Sequence, residues 1–544
     1  MTLPIEIFRF DALKKLAAER LGEITPAEEE VLWRSASTED KRPPASDDHS
    51  DVRAAFLRWL ATDKEAEAHI DPLGIRVAND TITSALNLNF CKLPFPLVFW
   101  FCTLQDHLSL FSAELPALYL FECKTEKGIS AAFLTTQRTV FLQKLKTNGQ
   151  LNFTGAQIGG DLHCSGATLT VEGKALSADR ANIAGSVFLR EGFTSSGEIR
   201  LLGAQIGGDL DCSKATLAAK GSALNADGAR IGGYVQLRRE FSCSGTMNFL
   251  GAQIGGDLIC SHATIRNLTC ENVLLAGDLI WTAIREPEES YLNLFGASIK
   301  MLRDDTPSWP ARGNLVIKGL EYKDLIHHES AIQEHLRLRR GPPQRPLDAG
   351  ERVRWLNLQD DEDRLDPHAW MWLAKLFKEK GQDHHARWVL LNYRLKRATA
   401  GNWLLWLGRV ALALLSWEPL LVLLPFLFIL CWGSQIYQRA WNEQSIRPTA
   451  SDAYTAHPAV PASARADEYS RAYPAFNPWI YVLENELPLA KFGMDDKWAP
   501  DPNLIAKGKS GAYWSLAGFR WFLILAGWAQ GILLTLGVNR RFRD

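Results

Sequence analysis

Three copies of GAQIGGDL, starting at Gly155, Gly203 and Gly251, place paired glycines beside an aspartate. Such residues could cradle a phosphate or contribute to a metal site. A nucleotide fingerprint needs one glycine-rich turn between a strand and a full helix, with an acidic residue further on. Here the motif occurs three times and runs into DLxCSxAT, without a helical pattern. Gly159, Gly160, Gly207, Gly208, Gly255 and Gly256 are therefore expected at tight structural corners, where φ is positive or no side chain fits. The copies are 48 residues apart. If that is two coils of a stacked chain, equivalent atoms lie about 10 Å apart, twice the strand spacing of roughly 4.8 Å. Asp161, Asp209 and Asp257 then cannot share one cation at about 2.0 to 2.6 Å. Nor can Cys164, Cys212 and Cys260 form disulfides. Only Asp257 and Asp278 fall on neighbouring coils, and a solvated corner accounts for them.

Other chemistry-bearing residues lack the partners that chemistry needs. DHH at Asp383 to His385 suggests a phosphoesterase but opens a helix without further acidic motifs. His327 and His328 have only Glu329 nearby in sequence, and the nine cysteines form no CxxC pair. No catalytic, cofactor-binding or metal residue is assigned, and no cofactor is expected. An odd cysteine count without a framework favours a reducing compartment. Formal net charge is −2, and residues 151–300 carry 12 Lys plus Arg against 15 Asp plus Glu. That balance argues against nucleic acid as a partner and against mimicry of a duplex by charge.

The elements that hold these residues follow from a shorter repeat. Within each long copy, an apolar, any, apolar, any, any, small, any, apolar unit recurs eleven residues on, starting at Leu151 and Leu162, Ile199 and Leu210, and Met247 and Leu258. A period of about five is too short for a helical repeat and suits very short strands that turn a corner and wind into a β-solenoid. AQIGG, ATLTV, ANIAG, ARIGG and ASIKM resemble the pentapeptide-repeat family, which implies a right-handed, four-sided β-helix. The expected organisation is an N-terminal helical cap (1–72), a β-helix repeat domain (73–320), a helical connector (321–400) and a membrane module (401–544).

In the connector, Asp366 and Pro367 start a helix and Gly381 divides it from a second, a pattern similar to one tetratricopeptide hairpin. Residues 419–437 and 521–538 carry no charge and are long enough to cross a bilayer. Residues 402–416 suit an interfacial helix. The lack of an apolar h-region at the N-terminus places both termini in the cytoplasm, with 438–518 outside. The loop's FNPWIYVLENELPLAKFG is expected as an amphipathic piece on the outer surface. Gly527 and Gly531 form a GxxxG that lets another helix approach, from a second copy or from the first span of the same chain.

Taken together, GAQIGGDLDCSKATL, GLEYKDL, GQDHHARWVLL, NPWIYVLENELPL and GWAQG make nearly the whole chain similar to a bacterial family of membrane-associated repeat proteins. Members are often labelled membrane-associated oxidoreductases, yet no flavin, nicotinamide, haem or iron–sulfur motif supports that label here. The leading expectation is a non-enzymatic scaffold at the bacterial inner membrane that presents its solenoid to a cytoplasmic protein partner. An oligomeric, channel-like or membrane-permeabilising effector is the alternative, and the oxidoreductase comes third.

Overall fold

The computed structural model describes residues 5–39, 42–46, 49–328, 344–345, 347–360, 362–399, 421, 423–450, 473–487, 489–506 and 510–543. They form two compact units, 1–382 and 383–544. The predicted interfacial helix at 402–416 lies outside the described residues.

In the first unit the chain winds into a parallel β-solenoid of about 11 turns. One coil consists of four strands of two residues each, Leu151–Asn152, Gln157–Ile158, Leu162–His163 and Thr168–Leu169. The coils stack in register: Gln157 pairs with Asn182, which pairs with Gln205, then Arg230, Gln253 and Leu274. Successive partners are 25, 23, 25, 23 and 21 residues apart. The 48-residue repeat is thus two coils, and GAQIGGDL marks every second one. Strand alternation sends Ile158, Ile183, Ile206, Ile231 and Ile254 inward as one buried column and Leu162, Val187, Leu210, Val235 and Leu258 as another. Full burial of each such side chain contributes about 1.5 to 3 kcal/mol. Small residues precede the isoleucines by two positions, and Ala156, Ala181, Ala204, Ala229 and Ala252 are wholly buried there.

Both ends of a solenoid expose unpaired strand groups and need cover. At the start, the helices Ile5–Leu21, Pro26–Ala36 and Ala54–Thr62 precede strand Ile75–Ala78. A capping box of Thr25 and Glu28 begins the second helix. Buried Arg76 donates to the carbonyl oxygens of Arg34, Ser37 and Glu39, tying that helix's end to the first coil. At the far end strand Glu321–His328 is followed by helix Ala349–Leu356. Its Arg352, 1 % exposed, meets Asp304 through two hydrogen bonds of 2.6 and 2.7 Å. Trp309 Nε1 donates to the same carboxylate at 3.0 Å. Burial alone would raise the Asp304 pKa, but Arg352 and His327 outweigh it and hold the group at about 2. Helix Pro367–Glu379, N-capped by Asp366, adds a hydrogen bond of 2.8 Å from Trp372 Nε1 to Tyr322 O.

The second unit contains helix Asp383–Thr399, helix Leu423–Asn442, the short helix Pro478–Glu486 and the 34-residue helix Ser510–Arg543. Among the described residues one helical segment, Gly511–Leu536, is long and apolar enough to cross a membrane. At 1.5 Å per residue its 26 residues extend about 39 Å. Strands Ile446–Pro448 and Trp498–Pro500 pair antiparallel and bring the two sides of the intervening chain together. Arg447 and buried Asp501 lock this pairing at 2.9 Å.

Candidate functional site

Glycines of the repeat divide into two kinds. Gly155, Gly203 and Gly251, the first residues of each copy, have φ of 67°, 61° and 63° and occupy the left-handed region. None of the paired glycines does. They are excluded from carrying a side chain by the coil below: a Cβ on Gly159 would come 2.3 Å from Gln137 O, and one on Gly207 2.2 Å from Ala184 O. At Gly255 the contact is Gly232 O at 2.3 Å. Their partners Gly160, Gly208 and Gly256 face Thr139 N at 2.6 Å, Ser186 Oγ at 2.3 Å and Gly233 C at 2.9 Å. Close stacking on the neighbouring coil, rather than a positive φ, is therefore what these six positions require, against backbone at five of them and against the Ser186 hydroxyl at Gly208.

The aspartates that follow do not face a ligand either. Asp161 Oδ1 accepts from Ser186 N at 2.7 Å, Asp209 Oδ1 from Tyr234 N at 2.8 Å and Asp257 Oδ1 from Asp278 N at 2.8 Å. On intervening coils Thr139 and Ser186 hydroxyls accept from Asp161 N and Asp209 N. Polar side chains thus satisfy corner donors from Thr139 to Tyr234 N and again from Asp257 to Asp278 N, and Asp278 pairs with Arg303 Nε at 2.6 Å. The sequence signal for this role was the recurrence of an acceptor, Asp, Ser or Thr, after the corner. Cys164, Cys212 and Cys260 are buried free thiols, and burial pushes Cys164 up to about 12. Asp383 to His385 open helix Asp383–Thr399. His327 is buried beside Asp304, with Thr306 Oγ1 at 3.3 Å from its Nε2, while the side chain of His328 lies outside the described residues. Among the described residues no group of three or more His, Cys, Asp or Glu is placed to hold a metal ion.

A side-chain arrangement with chemical potential lies in the second unit, where sequence reasoning placed a surface piece. Helix Pro478–Glu486, capped by Asn477, is amphipathic, with Tyr481 and Val482 fully buried and Trp479 exposed. Glycine notches admit it on both sides. A Cβ on Gly433 of helix Leu423–Asn442 would meet Val482 Cγ1 at 2.9 Å, and one on Gly527 of the long helix would meet Glu486 O at 1.8 Å. Among the described residues Gly531 has open space around it, and only the first glycine of the GxxxG is occupied from within the chain. Tyr437, Tyr481, Trp498, Leu516 and Leu523 form the core around the short helix, and Tyr437 donates to Leu516 O at 3.2 Å.

Two acids on this helix meet different surroundings. Glu484 accepts four backbone N–H groups, from Phe492, Gly493, Met494 and Asp495, at 2.7 to 3.0 Å. Burial opposes its charge, but these donors prevail and lower its pKa. Glu486, 0 % exposed, lines a cavity of about 870 Å³ with Leu423, Phe426, Trp528, Ile532 and Gln530. Among the described residues neither of its carboxyl oxygens, nor the Gln530 side-chain oxygen, has a hydrogen-bond partner. Burial raises the Glu486 pKa, and the nearby Gln530 side chain offsets this only in part.

Comparison of the chain with protein-family models, with curated proteins and with solved structures finds no match.

Proposed function

We propose that the chain is a membrane-anchored β-solenoid acting as a non-enzymatic scaffold at the bacterial inner membrane, and that its repeat face receives a cytoplasmic protein partner. The observation that carries this reading is the continuous register of coils along one face, with a groove of about 600 Å³ across six of them. Its floor includes the Gly207, Gly232 and Gly255 backbones, and Asn182, Gln205, Arg230 and Gln253 line it. Such a surface changes little on binding and offers exposed backbone with amide hydrogen-bonding groups. In this reading the solenoid is a pentapeptide-repeat-like right-handed β-helix, and the two helices flanking Gly381 form a single tetratricopeptide-like hairpin. Helix Leu423–Asn442 supplies the first of two spans, and both termini are cytoplasmic. Crosslinking the full chain in bacteria, identifying adducts by mass spectrometry and following membrane potential in the same culture test it. A specific cytoplasmic adduct with potential unchanged supports the scaffold; depolarisation without an adduct contradicts it.

A second reading, an oligomeric channel-like effector, is favoured by the short helix held between two long ones with an unpaired carboxyl at its end. Because Gly527 is already packed against Glu486, assembly with another copy would use the Gly531 face. Gly531→Leu abolishing a depolarisation that the wild type causes would support this reading, and depolarisation that persists in the variant would count against assembly through that face.

A further inference from the structure

The cavity at Glu486 is built for a ligand rather than left by loose packing. Its walls are leucine, isoleucine, phenylalanine and tryptophan side chains, and its rim includes Leu489, 90 % exposed, with Trp528 and Ile532 also exposed. The polar lining is Glu486, Gln530 and Thr535, and the threonine hydroxyl is already spent on Gly531 O at 2.9 Å. Among the described residues that leaves three acceptors without a donor at hydrogen-bond geometry, the two Glu486 oxygens and the Gln530 oxygen, with the Gln530 amide the nearest polar group to Glu486 along the lining. Buried acceptors of this kind cost about 1 to 3 kcal/mol each unless a donor arrives. Among the described residues no lysine, arginine or histidine lines the cavity. Glu484 on the same helix is engaged by residues 492–495, and Arg520 of the long helix is engaged by Asn485 and Asp495.

We propose that this cavity binds a lipophilic primary amine, its alkyl chain along the apolar walls and its ammonium at Glu486 and Gln530. A primary ammonium offers three N–H donors for three acceptors and a positive charge for the carboxylate, a combination that an alcohol or a fatty acid lacks. The apolar rim on a helix long enough to cross a bilayer gives an amphiphile a route of entry from lipid. A carboxyl held in apolar surroundings resists ionisation, so binding of an ammonium is linked to pH. Below the raised Glu486 pKa, affinity for the amine falls about tenfold per pH unit, since each binding event must displace one proton.

The test uses the full chain in lipid nanodiscs, titrated with dodecylamine, dodecanol or laurate and followed by native mass spectrometry. Dicyclohexylcarbodiimide, which attacks protonated carboxyls in apolar surroundings, reports on Glu486 through peptide mapping. Expected are one saturable dodecylamine per chain, protection of Glu486 from the carbodiimide, and at least a tenfold loss of affinity in Glu486→Gln with dodecanol partitioning unchanged. Gln530→Leu, which keeps the carboxyl, is expected to weaken the amine severalfold while carbodiimide labelling persists. A thermal melt matching wild type shows that each variant is folded. Equal retention of dodecanol and dodecylamine, or undiminished amine binding in folded Glu486→Gln, would overturn the proposal. This site is independent of the solenoid groove, so failure here leaves the scaffold reading untouched.

Discussion

Replacing Gly207 with alanine tests whether the GG corners are stacking rungs. The new Cβ would lie 2.2 Å from Ala184 O, whereas ordinary contacts begin near 3.4 Å, so the two coils must part by about 1 Å. Hydrogen bonds from Gly207 N to Ile183 O and from Gly208 N to Gly185 O, both 2.8 Å, would stretch out of range. Each buried backbone bond lost costs about 1 to 3 kcal/mol, giving about 2 to 6 kcal/mol for the pair. Gly203→Ala, four residues earlier, is the control. Its φ of 61° costs about 1 to 2 kcal/mol for a non-glycine residue, but the nearest neighbour, Arg180 Cγ, is 3.9 Å away. Urea unfolding of the full chain in detergent, followed by far-ultraviolet circular dichroism, should show Gly207→Ala as clearly the more destabilised. Equal midpoints for the two variants, or a larger loss for Gly203→Ala, would refute the stacking argument.

Four further outcomes follow from specific contacts. Arg352→Met leaves the Asp304 carboxylate buried and unpaired, with an expected loss of about 3 to 5 kcal/mol in the same unfolding measurement. In the wild type, the Asp304 contribution is complete above the ordinary aspartate value of about 3.9 and declines as pH falls through its folded value of about 2. Acid titration of Asp304→Asn should therefore lack the part of the stability loss that the wild type shows below about pH 4. Asp209→Ala removes the acceptor for Tyr234 N, and a loss of about 1 to 3 kcal/mol is expected there. Glu484→Gln cannot accept four N–H groups as a charged acceptor, so amide exchange at residues 492–495 should quicken while the solenoid amides stay protected.

The solenoid was legible because its signal is periodic. GAQIGGDL recurs at twice the coil length, and the short apolar unit follows the strands. Less legible was what satisfies the corners: Asp161, Ser186, Asp209 and Asp257 each bond a residue one coil away, and they differ in type. The end closures by Arg76 and Arg352 are single long-range contacts with no repeat to announce them. Helix Pro478–Glu486 misled for a physical reason. Glu484 and Glu486 mark its pattern as surface, yet backbone donors eight to eleven residues downstream neutralise the first, and the second faces a cavity. Gly433 and Gly527, far apart in sequence, make room for it, and no local window shows that.

The central claim, a membrane-held scaffold whose glycine-floored face receives a protein partner, is tested most directly by photocrosslinking residues placed at Gln205 and Gln253 in the full chain. Irradiated cells should yield the same discrete protein adduct from both positions in the membrane fraction, and none from a probe at exposed Lys146, two strands further round the coil. No adduct from either groove position, together with depolarised cells, would contradict the scaffold and leave the membrane unit as the active part of the molecule.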